Sequence, residues 1–388
     1  MLRRKNNRRN RKGAVVVLAA LFMVSMLGIV AFCVDIGYLA NASAELQRAA
    51  DASALAGAYQ LINFSAPGQN FSQDSHIANA RTSAVQYAGL NKVCNASPTV
   101  SPNTANAVSG DILIGSIATP TIPGTPMTFG NSNQFNAVLV NVSRSSGENG
   151  EVPMFFGAIF ARNSVAASKQ STAAVVINFS GFQMPADGSN LDILPFAFDQ
   201  QTWNSMMQGS GQDAFTWDPT TNSVKAGGDG VPEGNLYPQG NGSPGNRGTV
   251  DIGSPSNSTA DINRQILYGA DASDLSYLGG KLALNSDGVL LLNGDTGISA
   301  GVKSNLDAII GQPKIVPIFS TVNGPGNNAE YTIVEFVCVR VLQVQLTGKS
   351  SSKSVIIQPA SMIAKGGISS TSSTQTSAGI YSLPFLIR

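Results

Sequence analysis

The stretch "KGAVVVLAALFMVSMLGIVAFCVDIGYLANASAELQRAADASALAGAYQ", Lys12 to Gln60, decides the fold of the first part of the chain. Residues 14–34 of this stretch are 21 residues without a charge. At about 1.5 Å of rise per residue, a helix of this length crosses a hydrocarbon core of about 30 Å. A secretory signal has a shorter apolar run of about 7–15 residues before its cleavage site. We therefore predict a retained transmembrane helix over residues 13–35 rather than a cleaved signal.

The helix is predicted to continue past the span as an amphipathic stalk, because no helix breaker separates residues 38–60 from the apolar run. Apolar and small residues recur in the stalk at spacings of three and four, which places them on one helix face. These residues are Leu39, Ala42, Leu46, Ala49, Ser53 and Ala56. Glu45, Arg48 and Asp51 lie three apart on another face, where opposite charges attract one another.

Charge predicts the orientation of the span. Seven basic residues lie among the first twelve positions, and no acidic residue appears before Asp35. Positive segments beside a span stay on the cytoplasmic side, so residues 1–12 are predicted to be a cytoplasmic tail. Of the 24 basic residues, 17 follow the span, against all 23 acidic residues, so the exported part is mildly acidic. It contains no basic patch with interleaved aromatic residues, and we therefore expect no nucleic-acid partner.

The order of a basic tail, "KGAVVVLAALFMVSMLGIVAFCVDIGYL" and "AELQRAADASALAGA" resembles the N-terminal domain of TadE/TadG-like proteins of Flp pilus assembly. That domain reads basic-Gly, a long apolar run, Asp-x-Gly, and then Leu-Gln-x-Ala-Ala-Asp-Ala-x-Ala-Leu-Ala. The matching residues are Gly13, Asp35, Gly37, Leu46, Gln47, Ala49, Ala50, Asp51, Ala52, Ala54, Leu55 and Ala56. Later stretches, among them "NGDTGISAGVK" and "GPGNNAEYTIVEF", look like the C-terminal part of TadG-like proteins, although less specifically.

This resemblance implies a single-pass protein of the bacterial inner membrane whose partners are other Tad/Flp pilus-assembly proteins. Flp-type pilins are cut after a Gly that is followed five residues later by Glu. Here Gly13 is followed by Leu18 at that distance, so we expect the tail to stay attached.

The residues that we assign to helix packing and assembly lie in the span and the stalk. Small residues allow another helix to approach closely, and a carboxylate beside a span must reach the membrane interface or contact a partner helix. The assigned residues are Gly28, Asp35, Gly37, Leu39, Leu46, Ala49, Ala50 and Asp51.

The rest of the chain has 40 Gly and 19 Pro among 388 residues and only 12% charged residues, which indicates a β-rich body with many turns. The predicted fold class is α+β, with a transmembrane helix that continues into an amphipathic stalk, followed by mainly antiparallel β-rich extracytoplasmic domains. We predict one domain at 36–178, pilin-like, and a second, rich in Gly, Pro and Asn, at 179–388. In the first, a helix should begin at Asp74 or Ser75 and end at Gly89. Strands should follow at 111–118, 134–145, 151–160 and 164–179.

In the second domain, the segment 227–258 is too rich in Gly, Pro and Asn for long regular elements. A helix is predicted at 258–270, with Ser258 or Thr259 as its N-cap and Gly269 as its end. Strands are predicted at 314–322, 330–348 and 353–360.

The sequence offers no complete catalytic or metal-binding set. His76 is the single histidine, which excludes metal sites built from several imidazoles. The motif Gly240-x-Gly242-x-x-Gly245 has no strand before it and no helix after it, so we interpret it as a loop. Some TadG-like proteins carry a von Willebrand type A metal site, but here Asn178, Ser180 and Phe182 stand where Asp-x-Ser-x-Ser would be. Asp-Gly pairs such as 187–188 and 229–230 are interpreted as turns rather than calcium sites. We predict no enzymatic activity, no cofactor and no metal.

The three cysteines differ in their surroundings. Cys33 lies within the span, where a thiol behaves as a small apolar group. Cys94 and Cys338 both lie in the exported part, where oxidation is permitted, and they are a candidate disulfide between the two domains.

Two functions from different classes fit these features. The first is a structural or assembly component of a tight-adherence (Flp/Tad-type) pilus or a related envelope machine. The second is a membrane-anchored extracellular binding or adhesion module without a pilus role, whose ligand is a surface matrix or a glycan. The turn-rich second domain keeps the second function open, because exposed loops on a β scaffold often carry recognition.

Overall fold

The computed structural model describes residues 12–69, 72–237, 248–253, 258–296, 298–324, 329–349, 352–372 and 374–387. Two features of the sequence lie outside these residues. They are the basic tail before Lys12 and the motif at Gly240-x-Gly242-x-x-Gly245.

A single helix, α1, runs from Lys12 to Tyr59 over 48 residues. It contains no proline and is rich in alanine, the residue with the highest helix propensity. At its end, the N–H groups of Gln60, Leu61 and Ile62 each bond to a carbonyl three residues earlier, at 3.1, 3.1 and 3.2 Å. These bonds satisfy the last carbonyls of the helix. The predicted continuation of the span into the stalk is confirmed.

Five shorter α-helices follow in the described residues. They are α2 (Gln73–Leu90), α3 (Gln200–Met207), α4 (Thr259–Tyr268), α5 (Ala272–Tyr277) and α6 (Lys303–Ala308). The predicted helices at 74–89 and 258–270 are confirmed as α2 and α4. Ser258 caps α4, since its Oγ accepts a hydrogen bond from Asp261 N at 3.1 Å, and Gly269 ends it with a φ of 78°. The helices α3, α5 and α6, of 8, 6 and 6 residues, are not among those that the sequence predicts.

The described strands, in chain order, have two to eight residues, except for β14 and β15, which have 11 and 17. They are β1 (Ile112–Gly115), β2 (Ala137–Arg144), β3 (Val152–Pro153), β4 (Ser164–Val165), β5 (Ala167–Ala174), β6 (Phe179–Gln183), β7 (Phe198–Asp199), β8 (Phe215–Asp218), β9 (Ser223–Ala226), β10 (Gly234–Asn235), β11 (Gly248–Val250), β12 (Lys281–Ala283), β13 (Leu290–Thr296), β14 (Pro313–Asn323), β15 (Ala329–Gln345), β16 (Ser354–Pro359), β17 (Met362–Ile363), β18 (Gly367–Ser369), β19 (Ser377–Ala378), β20 (Ile380–Tyr381) and β21 (Phe385–Ile387). The strands predicted at 314–322, 330–348 and 353–360 are confirmed as β14, β15 and β16.

The strand predicted over 151–160 is wrong beyond its first residues. Only β3 is extended, and a 3-10 turn follows at Gly157–Phe160. The chain reverses there: a Cβ on Gly157 would lie 2.0 Å from the Arg162 carbonyl oxygen, so only glycine fits. The strand predicted over 164–179 is likewise divided into β4, β5 and the start of β6, and β5 and β6 belong to different sheets.

The chain divides into two compact units whose segments alternate along the sequence. Unit 1 comprises Met1–Ala56, Arg81–Leu113 and Leu139–Ser171, and its described part begins at Lys12. Unit 2 comprises Gly57–Ala80, Ile114–Val138 and Thr172–Arg388. A four-stranded sheet has the order β1-β2-β5-β21, and along the chain β1, β2 and β5 each pass from one unit into the other. The domain boundary that we place at residue 178 stays a prediction.

Unit 2 is built on an eight-stranded sheet with the order β10-β16-β15-β13-β11, to which β14, β7 and β19 are added. The 17-residue strand β15 pairs antiparallel with β13, β14 and β16. Alternate residues of β15 belong to two different apolar cores, since successive side chains of a strand point to opposite faces. Phe336 and Cys338 lie in one core, and Val337 and Val339 in the other.

Each face of this sheet is covered by a different layer. The first core includes Phe179 and Phe182 of β6 and Leu282 of β12, which form a small sheet with the order β12-β6-β18. The second core includes Trp203 of α3, Ile262 of α4 and Leu306 of α6. A sheet buried on both faces explains why β15 reads as a nearly continuous apolar run rather than an alternating one.

Candidate membrane and assembly site

The first half of α1 exposes apolar side chains on all of its sides. Fifteen large apolar residues between Val15 and Ile36 have exposed fractions from 45% to 69%. Soluble monomers rarely expose apolar patches larger than a few hundred Å². A helix that is apolar all round lies either in a large core or in a membrane, and this segment is not covered by the described chain. The helix is long and apolar enough to cross a membrane.

Asp35 marks the place where this exposed segment ends. Its side chain is 2% exposed, although Val34 and Ile36 on either side are exposed. Its Oδ1 accepts a hydrogen bond from Phe155 N at 2.7 Å and another from Phe156 N at 3.2 Å, and its Oδ2 accepts from Phe156 N at 3.1 Å. The rings of Tyr38 and Phe155 meet edge to face at 5.0 Å between centroids. All of these residues belong to unit 1.

Asp35 therefore contacts a loop of its own unit. The sequence predicts that Asp35 reaches the membrane interface or a partner helix, and a loop contact is not among these alternatives. The residues missed were Phe155 and Phe156, which bind through their backbone N–H groups. Because almost every residue has a backbone N–H, the sequence does not show which residue will donate it.

The second half of α1 is packed on one face. Leu46, Ala49 and Ala50 are fully buried, whereas Leu39 is half-buried. Four of the six residues predicted for this face are buried: Ala42, Leu46, Ala49 and Ser53. Asp51 lies beside the face, half-buried, and accepts a hydrogen bond from Gln47 Nε2 at 2.8 Å. Most of the buried side chains are alanine, so the helix backbone comes close to its neighbours.

Glu45 fastens the stalk to another segment of unit 1. Its Oε2 accepts a hydrogen bond from Cys94 N at 2.7 Å, and its Oε1 accepts one from Asn41 Nδ2 at 2.9 Å. Its nearest approach to Arg48 is 3.9 Å, and such an exposed pair adds little stability. The sequence predicts a charged surface on which Glu45 neighbours Arg48, but the main partner of Glu45 is the backbone N–H of Cys94, a residue with a φ of 50°.

The two glycines assigned to helix packing have open space beside them. A Cβ placed on Gly28 or on Gly37 would meet no atom within 4 Å in the described chain. Each position therefore has room for a neighbouring helix or for lipid, and neither is occupied by a described segment of this protein.

Arg81 supports unit 1 from within. Its guanidinium donates hydrogen bonds to the carbonyls of Pro102 at 2.7 Å and Ile112 at 3.1 Å, and to Asn106 Oδ1 at 2.9 Å. Burial lowers the pKa of Arg81 below its ordinary value. Asp111 accepts a hydrogen bond from Ser101 N at 2.6 Å, and burial raises its pKa. These contacts hold the segment 101–112 in place, and we attribute no chemistry to them.

All three cysteines are free thiols in the structure. Cys33 is exposed on α1, Cys94 is half-buried and Cys338 is buried. The pairing of Cys94 with Cys338 stays a prediction. Burial among apolar side chains raises the pKa of Cys338 well above its ordinary value, so this thiol is unreactive.

The other candidate catalytic or metal-binding groups make hydrogen bonds or ion pairs within the protein. His76 Nδ1 lies 2.8 Å from the Gln60 carbonyl oxygen. Asn178 Oδ1 accepts hydrogen bonds from Thr376 N at 2.8 Å and from Thr376 Oγ1 at 3.0 Å, and Phe182 is buried in the core. Asp187, in an Asp-Gly turn, is bound by Lys365 Nζ at 2.6 Å, which lowers its pKa. Across the described ranges, no three His, Cys, Asp or Glu side chains lie close enough together to hold a metal ion.

Comparison with known proteins relates the N-terminal segment of the chain to a family. Residues 13–60 match the Tad family model, described as Flp pilus-assembly TadE/G-like. The predicted resemblance of the N-terminal segment is thereby confirmed. Searches of curated proteins and of solved structures gave no match.

Proposed function

We propose that this chain is a membrane-anchored structural component of a tight-adherence (Flp/Tad-type) pilus-assembly machine. One observation carries this proposal. The family match covers residues 13–60, and α1 covers Lys12–Tyr59, so the matched segment is a single helix. The first half of that helix is exposed and apolar, and its second half is packed in unit 1. A helix with these two halves suits a protein that is fixed in a membrane and carries a folded body outside it.

The proposed location is the bacterial inner membrane, with the N-terminus in the cytoplasm and the body on the other side. Seven basic residues precede the span, and basic segments beside a span remain cytoplasmic. The chain after the span is mildly acidic and rich in Gly, Pro and Asn.

The role that we propose for α1 is mechanical. Because the helix continues without a break from the span into the packed stalk, a force or a tilt applied in the membrane is transmitted to unit 1. The hydrogen bonds to Asp35 and Glu45 attach the helix to unit 1 at two places that are ten residues apart, or about 15 Å along its axis. The open positions at Gly28 and Gly37 are the proposed contact points for helices of other Tad/Flp assembly proteins.

We propose that this role involves no catalysis. His76 and Asn178, which the sequence offers as candidate catalytic or metal-binding groups, bind the protein's own backbone. The assembly role therefore depends on the packing surfaces of α1.

The test is photo-crosslinking in cells that carry the Tad/Flp genes. A photoreactive amino acid is placed at Gly28, and the control carries it at Val108, which is 79% exposed in unit 1. We expect the Gly28 position to crosslink to another Tad/Flp assembly protein and deletion of the gene to reduce piliation. Normal piliation in the deletion strain, together with no assembly protein in the Gly28 product, would contradict the proposal.

A further inference from the structure

The loop between β3 and β4 exposes apolar side chains at its tip. Phe155 is 65% exposed, Phe156 is 41% exposed and Ile159 is 70% exposed. We call residues 155–159 the apolar turn. Large apolar side chains cluster in this way on a soluble surface when they meet another apolar phase.

The apolar turn lies at the level where the exposed span of α1 ends. The carboxylate of Asp35 binds the backbone N–H groups of Phe155 and Phe156, and Tyr38 packs against the ring of Phe155. Asp35 is the first residue after the uncharged run of 21 residues. The turn is thus held beside α1 at the place where a span of this length leaves the hydrocarbon.

The shape of the turn is fixed by its own backbone. Met154 N donates to the Asn163 carbonyl at 2.9 Å, and Arg162 N donates to the Gly157 carbonyl at 3.0 Å. Ala161 has a φ of 55°, and Gly157 has no room for a side chain. These contacts fix the turn within the folded unit, and its apolar side chains are exposed in that conformation.

The charge near the turn suits a lipid surface. Residues 152–162 contain no acidic residue, and the exposed Arg162 follows the apolar tip. Apolar side chains with a nearby cation are typical of segments that lie in the headgroup region of a bilayer containing anionic lipids.

We propose that the apolar turn inserts into the outer headgroup region of the same bilayer that α1 crosses. It then acts as a second membrane contact that sets the depth and tilt of α1. This inference rests on the membrane anchor in the proposed function and does not depend on the pilus role. The turn contacts the lipid headgroup region in this proposal. The alternative is that the turn contacts another protein.

The experiment measures tryptophan quenching by lipid. The full chain is reconstituted in vesicles of phosphatidylcholine and phosphatidylglycerol whose acyl chains carry bromine both near the headgroup and near the chain ends, so that shallow and deep tryptophans are both quenched. Three single variants are compared with the wild type: Ile159→Trp in the turn, Met26→Trp in the span and Leu90→Trp as the matched control. Leu90 is 66% exposed, close to the 70% of Ile159. It lies four residues before Cys94, whose N–H bonds to Glu45, ten residues beyond Asp35 on α1 and therefore further from the span. Trp203 and Trp217 are common to all four proteins and are subtracted.

We expect the brominated lipid to quench the emission of the Trp added at position 159 by about the same fraction as that of the Trp added at position 26. The emission of the Trp added at position 90 should change little. If Met26→Trp is quenched but Ile159→Trp is quenched no more than Leu90→Trp, the inference about the turn is overturned. The proposal that α1 is a membrane anchor is then still supported. If Met26→Trp is not quenched, the anchor itself is wrong, and the inference falls with it. Because Ile159 is exposed, its replacement leaves the packing of unit 1 intact, so a loss of folding does not obscure the result.

Discussion

Removing the carboxylate of Asp35 should release the loop between β3 and β4 from α1. In Asp35→Ala, the N–H groups of Phe155 and Phe156 lose acceptors that lie 2.7 and 3.1 Å away. A hydrogen bond to a charged group contributes about 1.5–3 kcal/mol, and water replaces part of that contribution in an exposed loop. We therefore expect the local opening free energy of these two amides to fall by about 2–4 kcal/mol. Since 1.4 kcal/mol is tenfold in an equilibrium constant, exchange should accelerate by roughly 30-fold to 1,000-fold.

Hydrogen exchange measured by mass spectrometry on the full chain in lipid nanodiscs gives this quantity for peptides that cover residues 152–165. Asp35→Asn keeps one acceptor oxygen and should give a smaller acceleration. The matched control is Asp51→Ala, which removes a half-buried carboxylate from the same helix and breaks only its bond with Gln47. Such a pair contributes about 0.2–0.5 kcal/mol, so the loop should be unaffected. Equal protection of the loop in Asp35→Ala and in the wild type would refute the reasoning.

Substitutions at three further residues test other parts of the structure. Leu46→Ala should lower the free energy of unfolding by about 2–5 kcal/mol, because Leu46 is fully buried. Leu46→Asp should abolish piliation while membrane insertion, set by residues 14–34, persists; normal piliation at normal protein level would count against the packing role. Gly157→Ala should open the apolar turn to hydrogen exchange, since the new Cβ would meet the Arg162 carbonyl, whereas Gly147→Ala, in open space, should not. Burial raises the pKa of Glu335 to about 7, so its contribution to stability is present below its unfolded pKa of about 4.5 and is lost as the pH rises through 7. The melting temperature of the wild type should therefore fall, relative to that of Glu335→Gln, between pH 5 and pH 8, and parallel pH curves for the two proteins would show this wrong.

The parts of the fold that the sequence predicts are those with a local signal. The uncharged run and the alanine-rich face predict α1, and a Ser cap with a Gly end predicts α4 almost to the residue. The strands β14, β15 and β16 are apolar enough to be found from composition alone, and β14 and β15 are also long. Each of these signals depends on residues that are close together in the chain.

The pairing between distant segments could not be predicted. β5 and β6 are close in sequence but pair with different strands, β21 and β12, which lie far along the chain. The segment 151–160 is apolar enough for a strand, but Gly157 and the left-handed Ala161 reverse the chain. A pattern of apolar residues does not distinguish a strand from an exposed turn.

In the candidate site, too, the sequence predicts local features but not contacts between distant segments. The buried positions of Leu46, Ala49 and Ala50 follow from helix periodicity. The partners of Asp35 and Glu45 are backbone N–H groups about 120 and 49 residues away, and no side-chain pattern marks them. Sequence indicated that Asp35 lies at the boundary of the span, and only the fold shows what it binds.

The most direct test of the central claim is protease protection of the tagged chain in spheroplasts. We propose that α1 crosses the inner membrane once and that the body lies outside. An external protease should therefore digest a C-terminal tag and the bulk of the chain, and leave a membrane-bound fragment that contains the N-terminal half of α1. A C-terminal tag that is protected in intact spheroplasts and is digested only after lysis would contradict it.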